Sequence, residues 1–318
     1  NNPAIRDLTA QFDHTIVDEA QDMSEVQTSM IKTLSAGRGM TIAGDKKQRI
    51  YSFRGAADDF IQSFGMDTIF PLQKSRRNKQ SILNTVNAAF DTETTATDEN
   101  KGEGRVSYNH VKMHGQAGWE EENRRMADDI LEDMQGKGGA KYRKRDNQGE
   151  VMVGVPTHAR LEHLHGLLEA PLKNIGVNIK KVKSSDVLDQ EALNMVGMKD
   201  KPEPSDQDAF TTYNNARDIV QETYDRSKGV HLGVHHQMKG LEADRAYMGG
   251  VTGEGSGQIL TSQLATRLGK PGAETDDPAI LKEAKDAKNL AYVTATRPKE
   301  LLRMYGSGEK SRFLSRAA

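Results

Sequence analysis

The first 45 residues alternate short apolar runs with polar punctuation. His14 to Val17 is a brief run containing the β-branched Thr15, Ile16 and Val17, and it stops at Asp18-Glu19. A run of this kind, closed by charge, predicts a buried strand. Ser24, with Gln27 three residues on, is a capping-box start for a helix. Val26, Met30, Ile31 and Leu34 then recur near helical spacing, as the apolar stripe of an amphipathic helix, and Gly37 supplies a C-terminal stop. A second apolar run, Met40 to Ala43, ends at Gly44-Asp45. Strand, helix and strand in so few residues make a βαβ unit, and its two strands must be parallel.

Open parallel sheets bind ligands beyond the carboxyl ends of their strands, so Asp18, Glu19 and Asp45 share the edge where a ligand would sit. The pattern alone leaves a solvated strand end as the alternative. Farther on, "GEVMVGVPTHARLEHLHGLLEAPLKNIGVNIKKV" repeats the strand, helix, strand order. The polar "KDKPEPSDQD" reads as a linker, with room for a short helix around Ala216 to Tyr224.

Composition narrows the class. A chain of 318 residues has room for two domains. Its net charge of −2 excludes coating nucleic acid by bulk positive charge, though not a local basic groove. The absence of cysteine excludes disulfides and thiolate metal sites and suits a reducing, cytoplasmic setting. No apolar run reaches the roughly 18 residues that a membrane helix needs, so no membrane partner is expected. His158, His163 and His165 lack a nearby acid to complete a compact metal site and read as helix-surface residues. The chain opens at Asn1 within a polar, helix-like segment, and the expectation is that an N-terminal part is missing.

Five stretches carry chemistry. They are "DEAQD" from Asp18, "GDKKQRIYSFRGA" from Gly44, "LQKSRRNKQSI" from Leu72, "LGVHHQMKGLEADRAYMGGV" from Leu232 and "NLAYVTATRPKELL" from Asn289. In order and in separation this set resembles the UvrD/Rep family of superfamily 1 DNA helicases. That family's second motif reads DEAQD, its third GDxxQxIYxFRGA, its fourth LxxNYRSxxxI, its fifth TxHxxKGLE and its sixth a YVxxTR core. DEAD-box RNA helicases share the Asp-Glu pair but lack this third motif. The resemblance implies an α/β fold of RecA-like parallel sheets flanked by helices. Residues 1–70 would be the closing part of a first RecA-like ATPase domain. Residues 71–318 would be the second, with a short insertion at about 184–228.

The resemblance also implies roles. Asp18 would hold Mg²⁺ through water, and Glu19 would orient and deprotonate the attacking water. Gln48 would sense the γ-phosphate of ATP. Arg77 and Arg297 would act as arginine fingers, able to fork onto phosphate oxygens. Glu242 would accept the ribose hydroxyl, and the Gly240 backbone would approach the phosphates. Phe53 and Arg54 would contact single-stranded DNA, the aromatic ring by stacking on a base, and His236 would touch backbone or sugar. The partners expected are single-stranded DNA and single-strand/duplex junctions, with 3′-to-5′ polarity.

Departures from the family pattern matter too. No GxxxxGK[ST] phosphate loop occurs: "GSGEKS" at Gly306 has Glu309 where glycine is needed, and "TGEGSGQ" at Thr252 lacks the following Lys-Ser/Thr. The family's loop precedes the DEAQD strand, so it is expected upstream of Asn1, and this chain alone is expected not to turn over ATP. Arg76 stands where an adenine-stacking tyrosine is usual, and a guanidinium plane can also stack on a purine. Val234 replaces a threonine. Pro298 follows Arg297 in place of alanine and is expected to end the helix one residue past the arginine. Two other readings stay open: a hydrolysis-dead single-stranded DNA-binding module, and the helicase part of a helicase-nuclease.

Overall fold

The computed structural model describes residues 12–50, 59–66, 68–136, 150–183, 185–203, 205–225, 229–251 and 278–308. Its first part is a small parallel pair. Strand β1 (His14–Val17) runs beside β2 (Gly39–Ile42), with Val17 opposite Ile42, but it is not the buried strand expected: Val17 packs into a core while Ile16, on the opposite face of the pair, is 75% exposed. Helix α1 (Glu25–Leu34) connects them and begins with the capping box read from the sequence: Gln27 N donates to Ser24 Oγ, and Ser24 N donates to Gln27 Oε1. The helix ends at Leu34 with Gly37 in the left-handed region just beyond. One expectation of the apolar stripe fails: Val26 and Met30 lie exposed, and only Ile31 of that stripe joins the small cluster around Val17, Ala20 and Phe64. The short α2 (Phe60–Phe64) supplies that phenylalanine.

The larger part is built on six parallel strands in the order β5-β10-β9-β6-β8-β7. They are β5 (Arg105–Val111), β6 (Val151–Val155), β7 (Ile179–Lys181), β8 (Val230–Val234), β9 (Ala243–Met248) and β10 (Pro298–Ser307). A two-residue ladder, β3 (Lys74–Ser75) with β4 (Thr95–Ala96), stands apart.

The period-two alternation of the strands sorts their side chains onto two cores. Met152, Ala246, Met248, Leu302 and Met304 face helices α3 (Gln80–Phe90) and α8 (Pro278–Ala295). Val151, Val153, Val155, Tyr247 and Leu301 face α4 (Gly115–Met134) and α5 (His158–Asn174). With helices on both faces, β6 is buried at all five positions and reads as an unbroken apolar run. Each such valine contributes about 1.5–3 kcal/mol by leaving water. The predicted strand, helix, strand of residues 149–182 is therefore β6, α5 and β7, although β8 lies between the two strands in the sheet.

Two readings need correction. Between β7 and β8 the chain forms two helices, α6 (Ser185–Met195) and α7 (Gln207–Asp225), rather than one short helix at 216–224. They pack on each other around Ala192, Leu193, Tyr213 and Ala216, a core of their own. Helix α8 ends at Ala295, not past Arg297, and Pro298 instead opens β10. Proline suits the first residue of a strand, where its missing N–H leaves no gap in the ladder.

Candidate functional site

Strands β1 and β2 release the chain side by side, and the acids follow at once. Glu19 adopts a left-handed backbone (φ 51°), rare for a residue with a Cβ and worth about 1–3 kcal/mol of strain. The kink is held by Glu19 N donating to Asp18 Oδ1 at 2.8 Å. Gln21, almost wholly buried, ties the two strand ends together: its Nε2 donates to Glu19 Oε2 at 2.5 Å, and its Oε1 accepts from Asp45 N at 3.0 Å. Asp18 and Glu19 themselves remain exposed.

The turn after β2, Lys46 to Ile50, meets helix α8. Asn289 Nδ2 donates to Arg49 O at 2.9 Å, and Ile50 packs on Leu290 and Val293. Arg297 lies just beyond α8, 3% exposed, with Nε on Val293 O at 2.8 Å. Its Nη2 donates to Gln48 Oε1 at 3.1 Å, while Gln48 Nε2 donates to Asp45 Oδ2 at 3.0 Å. An arginine of the six-stranded part thus reaches the carboxyl edge of the two-stranded part through one glutamine. Burial first, and then repulsion from Arg77, lower the Arg297 pKa to about 10, opposed by Glu19, Tyr292 and Asp45. At neutral pH it stays cationic. Tyr292, buried and hydrogen-bonded to Asp45, has its phenol pushed well up by burial and then by that carboxylate.

A second cation crosses the same gap. Lys239 Nζ is hydrogen-bonded to Asp22 Oδ2, lies 3.0 Å from Glu19 Oε2 and donates to Gln48 O at 3.2 Å. Arg77 Nε donates to Glu242 Oε2 at 2.9 Å, and Lys299 Nζ approaches Glu242 Oε1 at 2.8 Å. Hydrogen bonds from Lys299 and then Arg77 hold Glu242 below its usual carboxylate range. The segment bearing Arg77 is fixed by buried Asn78, whose Nδ2 donates to Thr296 O and Pro298 O at 3.0 and 2.6 Å. Asn78 therefore pins the loop of Arg77 to the turn of Arg297.

Other expected residues are more peripheral. Gly240 has φ +81°, open space where a Cβ would point, and an exposed backbone. Arg76 and His236 are exposed. The neighbour His235 is fully buried instead, with Nε2 donating to Gly249 O at 3.0 Å and Nδ1 3.1 Å from Thr294 Oγ1. It fits because β6 has Gly154 there; a Cβ would come within 2.8 Å of the imidazole. Phe53 and Arg54 lie outside the described residues. His158, His163 and His165 sit on α5, and among the described residues no three acids or histidines group to hold a metal.

Lys239, Asn78 and Tyr292 carry no role in the sequence analysis, and Gln21 and Asp22 stand there only as members of the DEAQD run. Each nevertheless lies inside one of the quoted motifs, so motif membership was the available signal and contact the missing one.

Sheet order and helices on both faces define a parallel α/β protein. Comparison with known proteins narrows the class: residues 1–69 match the UvrD/REP helicase N-terminal domain. An ATP-dependent helicase/nuclease subunit from Leuconostoc mesenteroides is 31% identical over 104 residues, 30% of this chain and 8% of that protein. A probable DNA helicase II homolog from Mycoplasma capricolum is 42% identical over 65 residues, 20% of this chain and 9% of that protein. DNA helicase II of Haemophilus influenzae is 38% identical over 81 residues, 24% of this chain and 11% of that protein. These matches support a relationship to the UvrD-like helicase superfamily over the segments they cover. Its matched segments span only about a tenth of these relatives' length. No helix among the described residues is long and apolar enough to cross a membrane.

Proposed function

We propose that this chain is the C-terminal portion of an ATP-dependent DNA helicase or single-stranded DNA translocase, supplying part of the nucleotide cleft and DNA contacts. The reading divides it near residue 70 into the end of one RecA-like domain and a second RecA-like domain carrying the 184–228 insertion. The observation that supports it best is the chain Asp45–Gln48–Arg297, which links a strand-end acid of one part to a buried arginine of the other.

Hydrolysis of a phosphoanhydride is mostly a matter of positioning and charge neutralisation. Glu19 takes the proton of the attacking water. Arg297 and Arg77, whose charges already repel, are brought into register by the incoming phosphates, which supply the anion between them. Gln48 touches both Arg297 and Asp45, so loss of the terminal phosphate changes the contact across the gap. Arg76, Gly240 and Glu242 hold the nucleoside end. The exposed Asp18 carboxylate is a hard oxygen donor of the kind Mg²⁺ takes. When bound, the ion would neutralise phosphate charge. Phe53, Arg54 and His236 contact single-stranded DNA and junctions, with 3′-to-5′ movement.

The 318 residues contain no GxxxxGK[ST] run, so the purified chain is expected not to turn over ATP by itself. A longer version carrying such a loop ahead of Asn1 is expected to hydrolyse ATP with stimulation by oligothymidylate. The proposal fails if the longer version shows no DNA-stimulated turnover. Steady-state turnover by the chain alone would refute the assignment of phosphate grip to a segment outside it.

A further inference from the structure

Tyr292 of α8 meets the turn after β2 at a point to which the proposed chemistry gives no role. Its ring is buried in one of the two sheet cores, with Phe90 edge-on at 5.5 Å. The phenol oxygen is therefore held in place, and it is hydrogen-bonded to the Asp45 carboxylate. Burial first, and then the Asp45 charge, push the phenol pKa up, so the hydroxyl stays a donor. Asp45 Oδ1 accepts from Lys47 N at 2.9 Å and Oδ2 from Gln48 Nε2 at 3.0 Å, both within its own turn. Gln48 Oε1 accepts from Arg297 Nη2 at 3.1 Å. Tyr292 and Arg297 thus grip the Asp45–Gln48 pair from both ends. Four side chains, two from each part, form a ring closed through the end of α8. Chemistry fixes its direction. A guanidinium only donates and a carboxylate only accepts, so the Gln48 carbonyl must face Arg297 and its amino group Asp45.

We infer that Tyr292 is a positioning residue for Arg297: its hydroxyl fixes Asp45, Asp45 fixes the Gln48 amide, and Gln48 aligns the guanidinium with the acid edge across the gap. This rests on the proposed reading that Arg297 meets the transferred phosphate. The other acceptors of Arg297 described above or beside it, Val293 O, Leu241 O and Thr296 Oγ1, belong to its own part. They hold the side chain to the six-stranded part but cannot register it against Glu19 and Asp18. Gln48 can, because it stands on the turn that leaves β2. A core role for Tyr292 is the competing account, and it needs the ring alone, not the hydroxyl.

Tyr292→Phe separates the two accounts, because it keeps the ring and removes one oxygen. In a version carrying a phosphate loop, its kcat is expected to fall about tenfold, the worth of one hydrogen bond, with the KM for ATP and the oligothymidylate affinity near the parent's. In a Gln48→Ala background the same change should add no further loss, since the link it acts through is already cut. An unaltered kcat, or a loss that adds to that of Gln48→Ala, would overturn the inference. The 318-residue chain supplies a readout free of turnover. Modification of Arg297 by phenylglyoxal, followed by peptide mass spectrometry, should quicken severalfold in Tyr292→Phe and in Gln48→Ala, and no further in the double variant. Melting temperatures should stay close to the parent's. Equal Arg297 reactivity in parent and Tyr292→Phe would refute the inference alone. Absence of turnover in the longer parent would bring down the proposed reading, and the inference with it.

Discussion

His235 and Arg297 show how differently one residue can read in sequence and in space. His235 sits inside the fifth motif, one residue before the histidine that the resemblance selects, yet it is the buried one. Burial pushes its pKa from 6.5 down to about 3. The folded protein keeps the ring neutral, while the unfolded chain takes up a proton as pH falls below 6.5. Its stabilising share is therefore whole above about pH 6.5 and drains as pH falls towards 3, amounting to about 2 kcal/mol lost by about pH 5. Urea melts across that range should show the loss, and His235→Gln, which cannot titrate, should flatten it. For Arg297 the motif gave the residue but not its partner. In a version with a phosphate loop, Arg297→Ala is expected to cut turnover by about 10³-fold or more, the scale of an arginine finger, and spare DNA binding. Phe53→Ala should weaken oligothymidylate binding by about 1–3 kcal/mol and spare basal turnover. Turnover assays paired with anisotropy separate the two.

At the scale of elements, local rules were the legible ones. The capping box at Ser24, the parallel β1–β2 pair and the β6–α5–β7 run all follow from short-range pattern, and all appear in the fold. What escaped depends on partners distant in sequence. The stripe of α1 predicted burial for Val26 and Met30, but burial needs a neighbouring surface as well as a stripe. Helices α6 and α7 were hidden because buried residues such as Leu188, Leu193 and Tyr213 are set among many polar ones. The Glu122–Arg160 pair, joining α4 to α5, had no sequence signal at all. Glu122 is wholly buried, also accepts from Gly250 N at 2.6 Å, and has its pKa raised by burial above all. Arg160→Met would strand that carboxylate and is expected to cost about 3–5 kcal/mol, whereas adding Glu122→Gln should recover much of the loss. Equilibrium denaturation of the single and double variants checks this. Equal destabilisation in both would mean that the pair does not act as a unit.

For the whole molecule, the parallel α/β plan was readable from motif order, but the way the two parts meet was not. The meeting place is small and mixed, with Ile50 against Leu290 and Val293 and Asn289 capping the Arg49 carbonyl. Ile50 is 2% exposed, so Ile50→Ala should cost about 2–5 kcal/mol. Because the loss falls on the contact and not on either sheet, calorimetry is expected to split one thermal transition into two. A single, uniformly lowered transition would place Ile50 in one core instead.

The Lys239 and Glu242 contacts also bear on how a ligand enters. Each of these charged groups at the gap already has a companion from the protein itself: Lys239 for Glu19 and Asp22, Arg77 and Lys299 for Glu242. On the proposed reading, a triphosphate reaching Lys239 or Arg77 would displace a resident carboxylate there. Affinity should fall short of what tallying its contacts suggests, because each exchange at Lys239 or Arg77 gives back an ion pair the protein already holds.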